Sequence, residues 1–170
     1  MATVAVTASL ALSLTGNVTP TSQDVFGNLQ KALAFVKQLD ITAGTSANQA
    51  DVYYAASLTP GTGGQTIDLS GSLVDPFGNT VTPVEIMAMV FYNRSTTTAE
   101  IVTIGNAATN QFADWLGGAT NTIKLGPGGL FVLTDPLTGL SCAGGSKDQL
   151  KLVSASGNPT VDVVLIGRSA

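Results

Sequence analysis

From the first residues onward, apolar and polar positions alternate. Ala2, Val4, Val6, Ala8, Leu10, Leu12 and Leu14 fall on one side of an extended chain, and Thr3, Ala5, Thr7, Ser9, Ala11, Ser13 and Thr15 on the other. A period of two over this length predicts a long β-strand with one apolar face, because successive side chains of a strand point to opposite sides. A helix would spread the same residues around its whole circumference. At about 3.4 Å per residue the strand reaches roughly 45 Å. The usual strand has about 5–6 residues, so this one either spans two sheets or reaches beyond its own subunit. The segment lacks the basic start of a secretory signal, and Thr or Ser interrupts it too often for a continuous apolar core. No run approaches the 18 or more apolar residues of a membrane helix.

Strands and turns dominate the rest of the chain. Residues 16–24 read as a polar turn region containing Pro20. The stretch 25–41 fits two patterns. Val25, Leu29, Leu33 and Val36 suit a helix face, whereas Leu29, Leu33, Phe35, Leu39 and Ile41 suit one side of a strand. Its β-rich surroundings favour the strand. Further strands are expected at 51–58, 65–70, 84–93, 99–105, 121–125, 130–134, 148–155 and 160–167. The continuous apolar run 84–93 reads as a strand buried on both faces. Turns fall at PGTGG (60–64), DPFGN (75–79), GPGG (126–129) and SGNP (156–159), where Pro, Gly and Asn take turn dihedrals at little cost. GPGG and SGNP read as hairpin turns joining the strands beside them. About nine or ten short strands separated by such turns, with little helix, predict an all-β fold of the β-sandwich or jelly-roll type. The expected organisation is an extended N-terminal β-arm over residues 1–24 and a single sandwich domain over 25–170.

Composition narrows the chemistry. The 170 residues include no histidine, 7 Lys plus Arg and 11 Asp plus Glu, for a formal net charge of −4. Without histidine there is no Ser-His-Asp or Cys-His arrangement and no usual general base at neutral pH. With so few, scattered basic residues there is no nucleic-acid groove. No carboxylate spacing matches a calcium loop or a di-metal site. Asp75, Asp135 and Asp148 are expected to cap turns. The single Cys142 has no basic neighbour to lower its pKa and reads as an inert small residue. Glu85 is expected at the wet start of its strand. GPGG lacks the Lys-Ser/Thr and following helix of a phosphate loop. Of the adjacent Tyr53 and Tyr54, one must face inward and one outward. Trp115 lies in a loop, either plugging the end of the sandwich or serving as an exposed sugar or interface hot spot. The two Asn-X-Ser/Thr sequons at Asn17 and Asn93 are read as chance. These readings predict a protein that is not an enzyme and has no cofactor or metal.

Four segments carry a family resemblance: GTSANQADVYYAASLT (44–59), IDLSGSLVDPFGNTVT (67–82), IGNAATNQFADWLGGATNTIKLGPGGLFVLTDP (104–136) and DQLKLVSASGNPTVDVVLIGRSA (148–170). Together with the alternating N-terminal strand, they resemble small β-sandwich structural proteins of tailed bacteriophages and prophages. The matching elements are strands and turns and include no catalytic signature. The loop GTSANQAD carries fewer glycines than its equivalent in that group. The resemblance implies a virion component, foremost a capsid decoration (cement) protein on the capsid exterior with the major capsid protein as partner. The alternative is a tail-fibre or head-fibre adhesin with a carbohydrate- or receptor-binding sandwich.

Low charge suits a lattice role, since many close-packed copies then repel one another little. Exposed sheet edges invite pairing, and a long arm is able to cover a neighbour's edge by strand addition. Closed symmetry satisfies each subunit's interface, so a homo-oligomer is expected, with a trimer favoured. Val4, Val6, Leu10, Leu12 and Leu14 on the arm, and Trp115, are the expected interface residues. Neither nucleic acid nor membrane is expected as a partner.

Overall fold

The computed structural model describes residues 5–18, 31–71 and 73–169. Fourteen strands run in chain order among the described residues: β1 (Ala8–Val18), β2 (Lys31–Ala43), β3 (Gln49–Ala50), β4 (Val52–Leu58), β5 (Gln65–Asp68), β6 (Leu73–Val74), β7 (Thr80–Val81), β8 (Glu85–Asn93), β9 (Val102–Gly105), β10 (Thr122–Leu125), β11 (Leu130–Thr134), β12 (Leu140–Ser141), β13 (Gln149–Ser154) and β14 (Val161–Arg168). Ten of them have four residues or more. A single 3-10 turn, Asp114–Leu116, is the helical element among the described residues. The fold is all-β and sandwich-like, as the turn spacing predicts. The second half of the ambiguous stretch 25–41 is strand. The expected turn around Pro20 lies outside the described residues.

Two sheets face each other. One has the order β10-β9-β13-β5; the other has β11-β8-β14-β4, with β12 also paired to β8. Alternation explains why they stack. In β13 and β14 every second side chain is buried, and these inward residues meet across the gap. Ile104, Leu150 and Leu152 from the first sheet pack with Met89, Phe91 and Leu165 from the second in one continuous core. Burying each such side chain is worth about 1.5–3 kcal/mol.

The turns GPGG and SGNP do not make hairpins. β10 and β11 belong to opposite sheets, as do β13 and β14, so each turn arches over the core instead of joining paired strands. Asn93 shows how this is held at GPGG. It is fully buried at the end of β8. Its backbone bonds Gly128 and Gly129 of the turn, and its side-chain amide donates to the carbonyls of Glu100 and Leu125. A loop that must satisfy four strand ends is specified by this buried amide, which turn propensity does not register.

A second, smaller core lies on the outer side of the five-stranded sheet. Val6, Ile41 and Ala50 pack there on Met87 and Ala88, with Ala8, Leu39, Tyr53 and Ile166 around them. A β-bulge makes this possible. Ile166 pairs with Ala88 and Gly167 with Ile86, which leaves Met87 as the extra residue. Because of the extra residue, Met87 and Ala88 both face the outer core, while Ile86 and Met89 on either side of them face the main one. At Gly167 a Cβ would lie 2.5 Å from the Glu85 carbonyl oxygen, so only glycine fits. Tyr54 packs on the main core and Tyr53 on the outer one, as adjacent residues of a strand must.

Candidate interaction surface

β1 and β2 pair antiparallel over eleven residues, from Ala8 opposite Ile41 to Val18 opposite Lys31. The N-terminal strand is therefore one half of a two-stranded ribbon, and residues 31–43 pair with it. Residues directly opposite in an antiparallel pair share a face. One face carries Ser9, Asp40 and Gln38, which bond one another: the Ser9 hydroxyl donates to Asp40 at 2.7 Å and the Gln38 amide at 2.9 Å. These two bonds, Gln38's first, hold the Asp40 carboxyl below its usual range.

The other face carries Leu10 opposite Leu39, Leu12 opposite Lys37, Leu14 opposite Phe35, and Gly16 opposite Leu33. At the base of the ribbon this face is covered, because Ala8 and Leu39 pack on the outer core. Further out it is not. Leu12, Leu14, Leu33 and Phe35 are 56%, 58%, 53% and 52% exposed. Residues 11–16 and 32–38 are exposed on both faces of the ribbon. A two-stranded ribbon alone is marginally stable in water, so the apolar face left open along it is the candidate interaction surface.

The expected interface residues separate under this geometry. Leu12 and Leu14 lie on the open face, and Leu10 lies on the same face, half-buried. Val6, 6% exposed and bridged to Ala50, packs in the subunit's own outer core. Val4 lies outside the described residues. Trp115 packs against the main core, its ring centroid 5.7 Å from that of Phe131 and its Nε1 donating to the Phe112 carbonyl at 2.9 Å. It is half-buried. Leu33 and Phe35 join the surface, although the expected arm ended at residue 24. Their alternation is visible in 25–41, but alternation alone does not say which strand pairs with which.

Several polar side chains elsewhere hold the local backbone. Asp75 accepts from the backbone N–H groups of Phe77 and Asn79 at 2.9 and 2.8 Å, and Asp148 from Gly145 at 2.7 Å. Both are turn caps, as is Asp135 toward Thr138. Glu85 pairs with Arg168, which also donates to the Thr138 carbonyl. Burial, with help from the charges of Asp148 and Asp68, pushes the Cys142 thiol up to about 12. No group of three or more Cys, Asp or Glu suited to a metal occurs among the described residues. A cleft of about 600 Å³ runs along residues 108–119, where Asp114 and Lys147 form an exposed ion pair at 2.7 Å.

No family model, no curated protein and no solved structure matches the chain.

Proposed function

We propose that this protein is a non-enzymatic structural component of a phage particle, a capsid decoration protein that binds and stabilises the head lattice as a homo-oligomer. The observation that carries the reading is the projecting β1–β2 ribbon, whose tip leaves Leu12, Leu14, Leu33 and Phe35 more than half exposed on one apolar face. The resemblance of its strand and turn segments to tailed-phage structural proteins points the same way. So does the low charge, which lets copies crowd on a lattice. A trimer suits the reading best, with the major capsid protein as partner and the capsid exterior as location. The adhesin alternative draws no support from Trp115, whose half-buried indole packs against the main core and Phe131. Purified protein mixed with undecorated heads tests the proposal. Saturable cosedimentation is expected, and heads that take up none of the protein would refute it.

A further inference from the structure

The five-stranded sheet has a second open apolar surface. The sequence of 84–93 predicts burial on both faces, yet its outer side is covered only near Ala88, where the small outer core sits. Beyond that row the cross-strand registers place Val132, Val90, Val164 and Ala55 side by side, and Leu130, Tyr92, Asp162 and Ser57 in the next row. Leu130 is 61% exposed and Tyr92 40%, and Val132 and Ala55 are exposed as well.

We infer that the exposed tip of the β1–β2 ribbon seats on this open sheet face of a second copy of the chain, head to tail, and so closes a homo-oligomeric ring. The inference deepens the proposed assembly role and rests on it only for the ribbon being an interface.

Three observations select a second copy as the occupant. First, the match already exists within one chain: the base of the ribbon's apolar face packs on the Ala88 row of this same sheet face. The tip, exposed on both sides, leaves its own sheet, and an identical neighbour offers the adjacent uncovered rows. Second, charge favours the sheet face over another ribbon. Lys37 lies on the ribbon's apolar face opposite Leu12, whereas the charge in the Tyr92 row is Asp162, which is balanced by Arg94 at 3.7 Å and accepts from Ser57 at 2.6 Å. Pairing ribbon with ribbon would instead bring two Lys37 residues together. Third, neither surface is large enough to hold a partner through a single contact. Four half-exposed large side chains amount to roughly 400 Å², about half of what one partner gives to a stable interface. A closed head-to-tail ring gives every copy two such contacts, one through its ribbon and one through its sheet face, so that no contact holds alone. A heterologous contact of this kind closes into a ring when its rotation permits.

Two full-length variants test this by sedimentation without any particle present. Leu14→Asp with Phe35→Asp spoils the ribbon. Leu130→Lys with Val132→Lys spoils the sheet face and repels Lys37. All four positions are exposed or partly exposed, and circular dichroism checks that each variant stays folded. Should a variant unfold, Leu14→Ser and Val132→Thr replace it in the same measurement. The intact protein is expected to sediment as a closed ring, with three chains favoured, and each variant as a single chain. An equimolar mixture of the two variants is expected to give a one-to-one pair, since it holds one good ribbon and one good sheet face. A monomeric intact protein, a sheet-face variant that still assembles through ribbon–ribbon contact, or a mixture that stays monomeric would each overturn the inference. Absence of binding to heads by an intact ring would count against the decoration reading alone.

Discussion

Two buried side chains show how single residues govern this molecule. Asn93 satisfies the carbonyls of Glu100 and Leu125 and accepts from the Ser95 backbone N–H at 3.1 Å. Replacing it by leucine of similar size leaves those groups buried without partners, and each unsatisfied group costs about 1–3 kcal/mol. Asn93→Leu is therefore expected to lower the unfolding free energy by about 2–4 kcal/mol in a urea titration. Cys142 is the opposite case, a reactive group made silent. An ordinary thiol titrates near 8.5, and here burial raises the value to about 12. At pH 8 a thiol reagent is expected to leave the folded protein untouched and to modify it quantitatively once unfolded. Fast labelling of the folded chain would contradict this burial. That Cys142 lacks a basic neighbour is plain from the sequence. The role of Asn93 was not legible there, because its partners lie 7 and 32 residues away.

At the level of elements, period-two patterning located most of the longer strands but not their partners. Alternation reports which side of a strand is apolar, and turn residues report local dihedrals. Neither says whether the chain returns to the same sheet or crosses the core, so GPGG and SGNP looked like hairpin turns and are arches. The same limit hid the partner of the N-terminal strand. Once β2 is paired with β1, residues of one alternating stripe divide by position. Val6 is core, and Leu12 and Leu14 are surface. The division is measurable. Val6→Ala is expected to cost about 1–3 kcal/mol of subunit stability at any protein concentration. Leu12→Ser is expected to change subunit stability by less than about 0.5 kcal/mol in dilute solution. It should also remove the rise of stability with protein concentration that assembly confers. Equal losses in dilute solution would mean that the ribbon tip is part of the subunit's own core.

Taken whole, the molecule is a sparsely charged sandwich with two uncovered apolar surfaces and no histidine. That composition sets its response to pH. Histidine is the side chain that ordinarily titrates between pH 5 and 8, so stability is expected to be flat across that range. The Asp75 carboxyl is held below its usual range first by Asn79, and Asp148 first by the Gly145 backbone N–H. A carboxyl depressed in the folded state stabilises above the unfolded value and loses that contribution as pH falls through the folded one. Unfolding midpoints measured against pH should therefore hold steady down to about 4 and fall below it. A drop between pH 6 and 8 would contradict the assignment.

The proposed role as an assembly protein requires the ribbon to be covered in the particle. Electron microscopy of the intact particle, at a resolution that traces strands, tests it most directly. Copies of the sandwich are expected on the outside of the head lattice, with Leu12, Leu14 and Phe35 buried against protein. A head that carries no such sandwich, or one on which these three side chains face solvent, would contradict it.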